Sequence, residues 1–146
     1  MYLTLLSQLL FVKGLSYMKD KADLARAWLE KSDSDLNAAR WITDGPGPFD
    51  TACFHAQQAT EKALKAFLAY NELPIPRTHD LDELQRLCLE FYDSREISEL
   101  DLAQVTDYAV ASRYDLEFWP ELDAALEAIA IAKNVVQVVR RSLQLV

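Results

Sequence analysis

The side chains of this chain that could do chemistry are few. Its two histidines, His55 and His79, are the candidates for acid–base work, because imidazole ordinarily titrates nearest neutrality. Arg113 and Tyr114 stand together in Ser112-Arg113-Tyr114-Asp115. A planar guanidinium can grip a phosphate at two points, and a ring beside it can stack on a base or fill a groove. The plain alternative is that Arg113 pairs with Asp107, Asp115 or Glu117 and steadies a helix break. Gln57, Glu61 and Lys65 share one helical face and could line the same groove, although a solvated face is the plainer reading. Glu61 and Lys65 are spaced for an ion pair worth about 0.3–0.5 kcal/mol if exposed. His55 reads as a satisfied, partly buried ring, and His79 as one that hydrogen-bonds the backbone at a helix start. Tyr108, Phe118 and Trp119 read as core or dimer contacts rather than as a base-stacking platform, because the charge around them is acidic.

Other chemistries are missing. No glycine-rich phosphate loop occurs. No Glu-x-x-His occurs, which counts against a carboxylate-bridged di-iron bundle, and two histidines are too few for a histidine-rich metal site. No serine or cysteine is paired with a base by its spacing. Cys53 and Cys88 have neither metal nor redox spacing and read as buried free thiols of a reducing cytoplasm. The formal net charge of −8 opposes non-specific binding to DNA or any phosphate backbone, while leaving room for a small basic pocket. No metal and no resident cofactor is expected.

The elements that would position these residues are helical. A chain of 146 residues, 51% hydrophobic with three glycines, suits one helix-rich domain with its own core. The central stretch is Phe49 to Tyr70, with Asp50 as the expected N-cap. There Ala52, Ala56, Ala59, Ala63 and Ala66 recur at steps of four and three. A stripe that narrow lets another helix backbone come close, which places this helix at the centre of a bundle. A first helix over Asp20–Thr43 is expected, with Trp28 and Trp41 as core anchors, stopped by Asp44-Gly45-Pro46-Gly47-Pro48. After a stiff Leu73-Pro74-Ile75-Pro76 connection, Asp80 and Glu83 have capping-box spacing for a third helix. A fourth is expected over Ser98–Ser112, interrupted or ended at Arg113. A last one follows, with Pro120 in its first turn and Arg140 and Arg141 at its end. The fold expected is all-α: an antiparallel, up-and-down bundle of four to five helices spanning 18–146. Residues 1–17 are apolar, carry only Lys13, lack a signal-peptide pattern and are too short to span a membrane. They read either as an N-terminal arm or as a mis-assigned start, with translation beginning at Met18.

The run FHAQQATEKALKAFL at 54–68, the Thr78-His79-Asp80-Leu81 segment and Ser112-Arg113-Tyr114-Asp115 together resemble a HEPN domain, named for higher eukaryotes and prokaryotes nucleotide-binding. Ala-x-x-Trp-Leu at Ala25–Leu29 and Asp35-Leu36 fit the family's first helix, and the resemblance extends from Met18 to Leu143. It implies a four-helix bundle that dimerises. Many small prokaryotic members are encoded beside a minimal nucleotidyltransferase, in several cases as a toxin–antitoxin pair. Catalytic members are metal-independent ribonucleases whose motif is an arginine followed, after four to six intervening residues, by histidine. Arg113 matches the arginine, but the histidine positions hold Phe118, Trp119 and Pro120, none of which moves a proton. The leading expectation is therefore a homodimeric binding module for a nucleotidyltransferase, with a nucleotide or RNA as its candidate ligand. The alternatives are a ribonuclease that substitutes His55 or His79 for the missing base, and a structural interaction protein using residues 1–17 as its arm.

Overall fold

The structure is a computed structural model that describes residues 20–145. The segment 1–17, with the question of an arm or an early start, and Met18 lie outside them. Among the described residues six helices and no strands occur: α1 (Lys21–Thr43), α2 (Phe49–Tyr70), α3 (Leu81–Phe91), α4 (Arg95–Ser98), α5 (Tyr108–Tyr114) and α6 (Leu122–Leu143).

Helix α1 starts where the Asp20 carboxylate accepts from Asp23 N at 2.8 Å, filling one of the free donors of the first turn. It buries Leu24, Leu29, Ser32, Asp35, Leu36 and Ala39. Trp28 packs beside that face, but Trp41 does not: it is 82% exposed. Two residues beyond Ala39 is more than half a turn around the helix, so position 41 faces away from the core. Gly47, at φ +108°, lets the chain turn sharply before Pro48.

Helix α2 begins two residues earlier than its cap signal suggests. Pro48 occupies the N-cap position with no side-chain cap, and Asp50 sits inside the first turn. The proline ring fixes the backbone at the boundary, so the helix starts directly after it. Asp50 then meets the positive end of the helix dipole rather than capping it. All five alanines of the stripe are fully buried. Helix α2 contacts α1, α3, α5 and α6, which makes it the central element. The Ser32 hydroxyl donates to the Ala59 carbonyl at 2.6 Å, an approach that a larger side chain on the stripe would obstruct.

Helix α3 is capped as its sequence suggests, Asp80 accepting from Asp82 N and Glu83 N at 3.0 and 3.3 Å. The expected helix over 98–112 forms only from Tyr108, as α5; a turned segment that buries Leu100, Leu102 and Val105 separates it from the short α4, which ends at Ser98. Gln85 of α3 accounts for the break. Its side-chain amide donates to both Ile97 O (2.8 Å) and Leu100 O (2.9 Å), carbonyls a continuous helix would have used internally. Arg113 lies in the last turn of α5, so the helix ends there. Helix α6 starts at Leu122 with Glu121 as N-cap, leaving Pro120 outside the first turn. Ala125 near its start packs with Ala52 and Cys53 near the start of α2, while Arg140 near its end pairs with Asp33 of α1. It therefore runs alongside α2 and opposite to α1, completing an up-and-down bundle.

Candidate functional site

Two carboxylates organise the polar interior along α2. Asp35 of α1 presents Oδ1 to His55 Nδ1 at 2.8 Å and Oδ2 to Lys62 Nζ at 2.5 Å. His55 and Lys62 are seven residues apart, two helical turns, so they share a face that meets Asp35. The Asp35 side chain is only 12% exposed, and its two donors offset the cost of burying the charge. An ionised carboxylate only accepts, so His55 donates from Nδ1 and its Nε2 is the atom left for proton exchange when the ring is neutral.

The second carboxylate is Glu61. Its Oε1 pairs with His79 Nδ1 at 2.7 Å and its Oε2 with Lys65 Nζ at 3.1 Å. Lys65 Nζ also lies 5.8 Å from the Trp28 ring centroid. Gln57 donates to the His79 carbonyl at 3.0 Å and accepts from Gln58 Nε2 at 2.7 Å. The face expected to be solvated is thus closed: Gln57, Glu61 and Lys65 are buried. His79 does not spend its ring on local backbone but on Glu61, eighteen residues earlier. Together Gln57 and Glu61 fasten the 73–80 connection to the central helix.

Arg113 and Tyr114 lie elsewhere, on the surface. Arg113 Nε donates to the Ala109 carbonyl one turn back at 2.7 Å. Its guanidinium sits 5.5 Å from the Phe54 ring centroid and 5.1 Å from that of Tyr114. Phe54 in turn meets the His55 ring edge-on at 5.5 Å. None of Asp107, Asp115 and Glu117 forms an ion pair with Arg113 among the described residues, so an aromatic platform holds it where an acidic partner was the alternative. A continuous relay of contacts results: Arg113, Phe54, His55, Asp35, Lys62. Sequence reasoning singled out Arg113 and His55 but passed over Phe54 and Lys62. The signal present was the His55-to-Lys62 spacing of seven.

The platform stands at an apolar end of the bundle. Tyr108 and Phe118 stack at 5.4 Å over Cys53 and Ala125, with Ile42 and Phe49 closing the cluster. Outside it, Trp41, Val110, Tyr114, Leu116, Trp119 and Leu126 are exposed. Phe118 is therefore core, whereas Trp119 is 72% exposed, its indole N–H donating to Leu116 O at 3.1 Å. Burial, reinforced by the Asp50 charge, pushes the Cys53 thiol up to about 11, and burial pushes Cys88 up to about 12 despite a backbone hydrogen bond. Neither is a thiolate nucleophile at neutral pH. Burial, with the nearby Cys53 and Glu127, also raises the Tyr108 hydroxyl. No group of three metal-ligating side chains occurs among the described residues, and no helix there is long and apolar enough to cross a membrane.

Comparison with known families finds that the model described as "HEPN domain" matches residues 25–142. No curated protein and no solved structure matches the chain.

Proposed function

This chain belongs to the HEPN domain family, and from that premise we propose that it is a binding module rather than an enzyme. It forms a homodimer in the cytoplasm and docks a minimal nucleotidyltransferase, in the manner of a toxin–antitoxin-type pair. Arg113 and Tyr114 offer a grip for the phosphate of a nucleotide or RNA at that interface. The observation that carries this reading is the apolar end around Arg113. Soluble monomers rarely expose several large aromatic and aliphatic side chains together, and aromatic residues with arginine are the usual anchors of interfaces. Beside it, the positions where a proton-transferring histidine would follow Arg113 hold a buried-cluster phenylalanine, an exposed tryptophan and a proline.

Affinity purification from source cells, with mass spectrometry of proteins and released small molecules, tests it. A co-purifying nucleotidyltransferase and a dimeric sedimentation coefficient are expected. Arg113→Ala should weaken nucleotide or partner binding while the helical signal and melting point stay unchanged. A protein that emerges alone, empty and monomeric contradicts the reading.

One observation favours a second reading, a metal-independent ribonuclease. His55 is oriented by Asp35 as a general base would be, and it connects to Arg113 through Phe54. That reading requires RNA cleavage in the presence of chelator, falling about 10²–10⁴-fold in His55→Ala. RNA left intact after long incubation with concentrated protein removes it.

A further inference from the structure

Away from the Arg113 end, α1 and α6 flank an open cleft of about 380 Å³. Arg40 of α1 and Lys133 and Arg140 of α6 line it, with Asp33 the one carboxylate among them. Six other cations among the described residues, Arg26, Lys62, Lys65, Arg86, Arg95 and Arg141, each lie beside a carboxylate. Arg40 and Lys133 make no ion pair among the described residues. Arg140 pairs with Asp33 Oδ2 at 2.6 Å, yet its Nε is buried without a hydrogen-bond partner. A buried guanidinium N–H left unmatched is uncommon and asks for an acceptor.

We propose that this cleft binds a phosphate monoester. Three cations against one carboxylate leave two positive charges, and a phosphate monoester near neutral pH carries about −1.5 to −2. A single carboxylate group would match only half of that. The amides of Asn37 and Gln137, with Leu36 and Val136 behind them, give the remainder of the cleft donors, acceptors and an apolar wall for the organic part of the ester. The cleft lies at the small end of ligand pockets, which span roughly 300–1,000 Å³, so it suits a single small ester better than a nucleic acid strand. The site is separate from Arg113 and does not rest on the function proposed above.

Calorimetric titration of the full chain with inorganic phosphate and with a nucleoside monophosphate tests this, with chloride at equal ionic strength as control. Both phosphates should bind, and a tighter monophosphate shows that the organic part is read as well. Arg40→Ala and Lys133→Ala, both at exposed positions where folding is not at stake, should each weaken binding about fivefold, the upper range for an exposed ion pair. Asp33→Asn should strengthen it, because it removes the competing carboxylate and frees Arg140. Arg113→Ala should leave it unchanged. Absence of saturable binding overturns the proposal. So does binding that survives both cation variants, or that chloride abolishes as readily as phosphate competes.

Discussion

At the scale of single residues, Asp35 does more than its neighbours. It joins α1 to α2 by holding two cations that the helix period brings to it. Asp35→Ala leaves His55 and Lys62 without their acceptor in a part-buried place, and should lower stability by about 1–3 kcal/mol. Asp35→Asn keeps one carbonyl acceptor and should lose less. Chemical denaturation of both variants reads the ordering; equal stability of Asp35→Ala and the parent would make the network ornamental. The thiols give a second residue-level expectation. An unfolded thiol titrates near 9.0, whereas burial holds Cys53 and Cys88 protonated to about 11 and about 12. Above pH 9 the folded chain therefore keeps protons that the unfolded chain releases. Stability must fall as pH rises from 9 toward 11–12, and the contribution is complete below 9. Urea midpoints measured from pH 8 to 10.5 should show this decline, and a Cys53→Ala/Cys88→Ala protein should show less of it. At neutral pH, Ellman's reagent should leave both thiols of the folded chain unmodified.

At the scale of elements, the decisive case is the break between α4 and α5. Gln85→Ala strands the Leu100 carbonyl and leaves Ile97 O, near the end of α4, with its backbone bond from Leu100 N at 3.3 Å. A loss of about 1–3 kcal/mol is expected. Hydrogen exchange should quicken first over 95–106 while α1 and α2 stay protected; uniform acceleration across the chain would show that Gln85 does not act through this connector. The same residue explains what the sequence could not reveal. Helices α1, α2, α3 and α6 were legible because their apolar periods, and for α3 its cap, are local, as the alanine stripe and Asp80 show. The shortening of the 98–112 helix was not, because its cause sits in another helix. Likewise Glu61 and Lys65 announced an ion pair by their spacing, but nothing local says that His79 comes across to share Glu61 and close that face over. Arg113 was legible as exposed chemistry, while its seat on Phe54 depends on tertiary packing.

At the scale of the whole molecule, the exposed apolar groups are unevenly placed. Two of the three tryptophans, Trp41 and Trp119, are at the Arg113 end and open to solvent. The third, Trp28, lies partly buried against the core near Lys65. Phe91 and Tyr92 at the end of α3 are exposed as well, but the larger group stands around Arg113, and a group of that kind, unlike scattered side chains, is the candidate contact surface. If two copies meet through that end, the fluorescence of Trp41 and Trp119 becomes concentration-dependent. Dilution should red-shift the emission and raise acrylamide quenching. A Trp41→Phe/Trp119→Phe protein, reporting Trp28 alone, should quench weakly at every concentration. Leu116→Ser, at an 85% exposed position with no folding role, should shift the change to higher protein concentration without altering the melting point of the monomer. Charge works against such a dimer, since two chains of −8 repel each other. Added salt should therefore favour the quenching-protected state, because it screens that repulsion and leaves apolar burial intact. Quenching of the parent that never changes with concentration or salt would separate this surface from self-association and leave it to a different partner.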